Sequence, residues 1–164
     1  MKPELQLSAV VNGETVARSV EPRITLAEFL RDRLGLTGTK LSCELQVCGA
    51  CTVLVDGLPV SACSFLAADI DGCDVTTIEG IGSERSLHPI QQAFIDKFAM
   101  QCGFCTPGFV LMTKALLDEQ PNPAPEEVVD YMEGNICRCT GYRSILEAVL
   151  HAAETMNAGP RGGE

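Results

Sequence analysis

The chain has 164 residues, of which 46% are apolar and 5% aromatic with no Trp, and it carries a formal net charge of −10. That length suits one domain or two small ones sharing an interface, and the apolar share supports a packed core rather than disorder. The acidity repels polyanions and the scarcity of rings denies stacking platforms, so nucleic acid and anionic membrane surfaces are excluded as partners.

In the first half, Leu5, Leu7, Ala9 and Val11 alternate as a strand does. Asn12-Gly13 then supplies two residues that tolerate φ > 0, which predicts a hairpin into a second strand over 15–20. Pro22 ends that strand. Thr25 and Glu28 form a capping box for a helix with the apolar stripe Leu26, Phe29, Leu30 and Leu34, and Gly35 suits the left-handed position after it. Residues 40–51 hold three cysteines and no periodicity, so they read as a loop. A buried strand follows over 52–55, Asp56-Gly57 turns it into 58–62, and a last short strand covers 74–78. This order is α+β.

Residues 80–85 read as a linker, after which the apolar period changes to 3.6. Pro89 opens a helix with Ile90, Phe94, Ile95 and Phe98 on one side, and His88 is its start residue. Thr106 is expected to cap a helix running from Pro107 to about Asp118, which Pro121, Pro123 and Pro125 must end. A short helix spans 126–132. A final one spans 143–156, with Ile145, Leu146, Val149, Leu150 and Ala153 buried and His151 structural or exposed. The second half is therefore all-α with four helices, and residues 158–164 form a flexible tail. No apolar run is long enough to span a bilayer, and the start, Met-Lys-Pro-Glu-Leu-Gln, lacks the apolar core of a secretion signal. The expected location is the cytoplasm, with no membrane insertion.

Nine cysteines in a reducing compartment are metal ligands before they are disulfides. The first set, Cys43, Cys48, Cys51 and Cys63, opens with the C-x4-C-x2-C spacing of plant-type [2Fe–2S] proteins. Gly49 and Ala50 are small enough to let backbone N–H groups approach the sulfides. A structural zinc site, built from paired knuckles, fits this spacing poorly. The second set, Cys102, Cys105, Cys137 and Cys139, comes from two inter-helix turns. Its thiolates would repel one another without a cation between them, but spacing alone leaves zinc and iron–sulfur both open. Cys73 is left over as a free structural thiol. Arg138, between two of these cysteines, either offsets the charge of a bound group or docks against a partner, and both readings stand.

The stretches Cys-Gly-Ala-Cys-Thr-Val-Leu-Val-Asp-Gly (48–57), Thr-Thr-Ile-Glu-Gly (76–80), Gln-Cys-Gly-Phe-Cys-Thr-Pro-Gly (101–108) and Gly-Asn-Ile-Cys-Arg-Cys-Thr-Gly-Tyr (134–142) resemble one family. It is the small iron–sulfur subunit of the molybdenum hydroxylases, the group of xanthine dehydrogenase, aldehyde oxidoreductase and carbon monoxide dehydrogenase. The resemblance implies a β-grasp plant-type ferredoxin domain over 1–79, a linker over 80–85 and a four-helix-bundle domain over 86–157, each binding one [2Fe–2S] cluster. It implies electron transfer from a molybdopterin centre on a large subunit, through the second cluster and then the first, to FAD on a medium subunit or to another acceptor. The expected assembly is (αβγ)2. Gln101 and Cys139 should lie near the pterin, with Cys139 both an iron ligand and a cofactor contact.

The chain itself holds no G-x-G-x-x-G motif, and no residue in it is expected to do acid–base chemistry. Gln46 and Ser42 stand where family members often carry Gly, which predicts an altered potential or loop path with the cluster retained. The carbon monoxide dehydrogenase branch is less strict at these positions, a hint of kinship. Two rivals are a zinc-binding scaffold and a free-standing ferredoxin, and a carrier of the second kind would need only the first domain.

Overall fold

A computed structural model describes residues 4–83 and 85–158. Residues 1–3, Glu84 in the expected linker and 159–164 of the expected tail lie outside the described residues. The first hairpin pairs β1 (Leu5–Val11) with β2 (Glu14–Val20) in antiparallel register, Val11 facing Glu14. Asn12 and Gly13 turn it with φ of 52° and 81°, the left-handed values that the Asn-Gly pair predicts. A second hairpin, β3 (Thr52–Val55) and β4 (Leu58–Ser61), turns through Asp56 and Gly57 at 49° and 81°. β5 (Asp74–Thr76) lies between the hairpins, parallel to β1 and antiparallel to β3, so the mixed sheet runs β2-β1-β5-β3-β4. β5 ends two residues before the expected limit because Ile78–Gly80 closes into a 3₁₀ turn.

The capping box at Thr25 forms as expected: the Thr25 hydroxyl accepts from the Glu28 amide, and the Glu28 carboxylate accepts from the Thr25 amide. α1 (Leu26–Glu28) then widens into a π turn, Phe29–Arg33, where the Leu34 amide donates to the Phe29 carbonyl. Leu26, Phe29 and Leu30 are fully buried and Leu34 is half-buried.

Four helices make up the second half of the described chain: α2 (Pro89–Asp96), α3 (Thr106–Glu119), α4 (Pro125–Tyr131) and α5 (Arg143–Asn157). His88 caps α2, its Nδ1 accepting from the Ile90 amide. The stripe expected on α2 is corrected. Ile90, Ala93 and Phe94 are buried, whereas Ile95 is 45% and Phe98 83% exposed. The helix ends at Asp96, and Phe98 then takes a φ of +52°, which turns it out of the stripe. The cap of α3 is also corrected. Cys105 occupies that position, and Thr106 is already helical with its hydroxyl making no capping bond. On α5 the buried face is Ile145, Ala148, Val149, Ala152 and Ala153, with Leu146 and Leu150 only half-buried.

β3 joins the two halves. All four of its residues are buried. Val53 and Val55 point into the sheet-side core with Leu26, Phe29 and Val75. Leu54, of opposite parity, points into the helical core with Phe94, Phe109 and Val149. A strand buried on both faces reads as the unbroken apolar run Thr-Val-Leu-Val.

Candidate metal centres

The β3–β4 ladder delivers half of the first cysteine set. Its register pairs Thr52 with Ser61, and the Ala62 amide donates to the Cys51 carbonyl at 3.3 Å. Cys51 and Cys63 are therefore neighbours across one end of the hairpin, and both are buried. Burial pushes the Cys51 thiol up to about 12, and the adjacent Cys63 thiol adds to the rise. Cys43 and Cys48 come from the loop before β3, which is held in unusual backbone: Glu44, Gln46 and Gly49 have φ of 53°, 59° and 67°. That path aims amides at sulfur. The Leu45 amide lies 3.4 Å from Cys43 Sγ, and it, the Val47 amide and the Cys48 thiol hold the Cys43 thiol down at about 6. Gln46, in place of the expected Gly, thus sits in the left-handed region that Gly occupies freely, while its neighbours Leu45 and Val47 are exposed.

The second set forms at one end of the helices. Cys102 and Cys105 flank the left-handed Gly103 between α2 and α3, and Cys137 and Cys139 lie in the turn before α5. Cys139 and Cys102 have their sulfurs 3.6 Å apart, and Cys105 pairs with Cys137. Burial raises Cys105 to about 12, and the Cys137 thiol adds to it. Burial opposes ionisation of Cys137 as well, yet its sulfur receives the Thr140 hydroxyl at 3.2 Å and the Thr140 and Cys139 amides at 3.4 and 3.5 Å. Together these hold the Cys137 thiol down at about 7. Cys102 and Cys139 form an exposed edge, and the Gln101 side-chain amide donates to the Cys139 carbonyl across it at 3.1 Å.

The eight cysteines thus gather as two quartets, while Cys73 stands apart beside Asp69 and Asp71. Among the described residues, no three Cys, His, Asp or Glu side chains converge tightly enough for a single metal ion. The second quartet instead lines a cavity of about 270 Å³ with Ser42, Cys48 and Ala50 of the first loop. Four thiols lining one cavity are a donor set that a group with several sulfur-binding centres can use. Two threonine hydroxyls, those of Thr39 and of Thr106, which follows Cys105 in the chain, are buried without a hydrogen-bond partner among the described residues. A buried donor left open next to Cys105 suits a group that brings sulfide acceptors. The donor chemistry and the cavity therefore fit iron–sulfur units.

The two quartets are bonded to each other. The Ile136 amide donates to the Cys48 carbonyl at 2.9 Å, and Asn135 Nδ2 donates to the Gly49 carbonyl at 3.2 Å. Gly108 of α3 presses on the same carbonyl so closely that a Cβ there would lie 2.2 Å from it. The Cys137 amide is taken by the Tyr142 hydroxyl at 3.0 Å, and the Tyr142 ring packs edge-on against Phe109. The sequence alone assigns Asn135, Thr140, Tyr142 and Gly108 no individual role. They lie inside recognisable motifs, but their partners are up to 86 positions away.

Two family models match the chain: a "2Fe-2S iron-sulfur cluster binding domain" over residues 9–72 and a "[2Fe-2S] binding domain" over 77–150. The chain is 48% identical over 148 residues to the nicotine 6-hydroxylase small subunit of Paenarthrobacter nicotinovorans, covering 90% of this chain and 89% of that protein. Among solved structures, quinoline 2-oxidoreductase from Pseudomonas putida 86 superimposes with a TM-score of 0.90 at 43% identity, over 95% of this chain and 98% of that one. Aldehyde oxidoreductase from Desulfovibrio gigas gives a TM-score of 0.91 at 43% identity, over 94% of this chain but 17% of that one. The same architecture occurs both as a separate chain and as a segment of a longer one.

Proposed function

The chain belongs to the small iron–sulfur subunits of the molybdenum hydroxylases, and from that membership we propose that Cys43, Cys48, Cys51 and Cys63 hold one [2Fe–2S] cluster and Cys102, Cys105, Cys137 and Cys139 a second. Bound there, each cluster would supply a one-electron carrier, held by those four thiolates. The observation that carries this reading is the pairing of two thiol quartets through the Ile136–Cys48 hydrogen bond.

Each part of the chain has a task in this scheme. The exposed edge of Cys102, Cys139 and Gln101 faces the molybdopterin of a large subunit, with Gln101 and Cys139 as the contacts. Ile136 and Cys48 give a short bonded route between the quartets. The first quartet delivers electrons to FAD on a medium subunit, or to another acceptor. Thr140, and the amides of Leu45 and Cys139, donate to ligand sulfurs and so stabilise their anionic form. The division into a β-grasp domain over 1–79, a linker over 80–85 and a four-helix bundle over 86–157, the (αβγ)2 assembly and the cytoplasmic location belong to the same proposal. Among the described residues, no helix is long and apolar enough to cross a membrane.

Iron and acid-labile sulfide analysis of the anaerobically purified complex tests the assignment. About four of each per small subunit, with two [2Fe–2S] EPR signals on reduction, are expected for two such clusters. Colourless, zinc-loaded protein would refute it, and purification without a molybdenum-bearing chain would refute the subunit role.

A further inference from the structure

Arg138 lies between two cysteines of the second quartet and is one of the residues lining the cavity of about 270 Å³ that Cys102, Cys105, Cys137 and Cys139 share with Cys48. No other Lys, Arg, Asp or Glu lines that cavity among the described residues. Arg138 is exposed, and no ion pair or hydrogen bond ties it to another described residue. Lys40, just before the first cysteine loop, is by contrast engaged, its Nζ donating to the Thr37 carbonyl.

We propose that Arg138 is a positioning residue for charge: its guanidinium raises the reduction potential of the second-quartet cluster relative to the first, drawing electrons into the chain. The inference rests on the cluster assignment above. A [2Fe–2S] unit held by four thiolates carries a formal charge of −2 when oxidised and −3 after accepting one electron. A fixed positive charge attracts the second state more strongly than the first, so it favours uptake of the electron; no proton or bond changes. Of the first quartet only Cys48 lines the cavity, so that cluster feels the cation less. Arginine suits the task because it stays charged at every working pH.

The test is an EPR-monitored potentiometric titration of the purified complex, with dithionite as the reductant. In Arg138→Gln, one of the two [2Fe–2S] signals should become harder to reduce by roughly three- to tenfold in the electron-partition constant, about 30–60 mV at 59 mV per tenfold for one electron. The other signal should hold its potential, and Arg138→Lys should restore most of the shift. Two signals with unchanged potentials in Arg138→Gln overturn the proposal while leaving the cluster assignment intact. A wild-type complex without two such signals overturns both. If Arg138→Gln and Arg138→Met reduce assembly while the residual complex keeps both potentials, the residue is a docking contact and the proposal fails.

Discussion

Gly108→Ala sets helix propensity against packing. Gly108 lies inside α3, where Ala is favoured over Gly by about 1 kcal/mol, so the helix alone predicts a more stable protein. The structure predicts the opposite. The new Cβ would lie 2.2 Å from the Gly49 carbonyl oxygen, where ordinary contact begins near 3.4 Å, and both sides of the clash are backbone. Relief requires α3 and the first cysteine loop to separate by about an ångström. The Gly49 carbonyl also accepts from Asn135 Nδ2, the Thr52 amide and the Thr52 hydroxyl, and the neighbouring Cys48 carbonyl accepts from Ile136. Losing two of these bonds costs about 1 kcal/mol each, and overpacking adds roughly 1–3 kcal/mol. Against the helix gain, the net loss is about 2–4 kcal/mol, which for a chain of this size lowers Tm by roughly 5–15 °C. Thermal unfolding of the cluster-loaded protein, followed by loss of visible absorbance, measures it. Gly134→Ala is the control, because no atom lies within 4 Å of its added Cβ. A Gly108→Ala protein as stable as wild type, or a Gly134→Ala protein equally damaged, would refute the reasoning.

Four further outcomes follow from the same geometry. Gln46→Gly removes a side chain from a φ of +59° and should stabilise the first loop by up to about 1 kcal/mol, seen as slower bleaching of the cluster in chelator. Tyr142→Phe leaves the Cys137 amide without its acceptor and should cost about 1–2 kcal/mol in urea unfolding. Cys73→Ala should leave iron and sulfide per chain unchanged, since Cys73 stands outside both quartets; loss of iron would return it to the ligand set. In chain stripped of iron, the thiolate is the reacting form, so iodoacetamide should modify Cys43 with a midpoint near pH 6. Cys51 and Cys105, both raised to about 12, should resist until well above pH 9. Mass mapping that finds all three reacting together would contradict that ordering.

Much of the fold was legible because its signals are local. Asn12-Gly13 and Asp56-Gly57 specify their turns through the φ values they tolerate, and the Thr25–Glu28 box closes within four residues. On α2, Ile95 falls one step of about 100° past Phe94 and so off the face of Ile90, Ala93 and Phe94, while Phe98 departs because periodicity presumes a continuing helix and this one stops at Asp96. Thr106 was misread as a cap because residue type alone does not fix which residue leaves helical geometry first. The Gln46 departure was visible in the sequence, but that it lies in left-handed backbone was settled only by the path of the loop.

The sequence by itself determined that two groups of four thiols exist and which spacing each carries, since ligand chemistry depends on residue type and short separations. Only the tertiary structure decided how those groups stand to one another. Cys48 reaches Ile136, Gly49 reaches Asn135 and Gly108, and Arg138 comes to line the cavity between them. These contacts arise because β3 is buried on both faces and locks the sheet against α3. Such packing depends on surfaces assembled from distant segments, and no local pattern along the chain encodes their distance or direction.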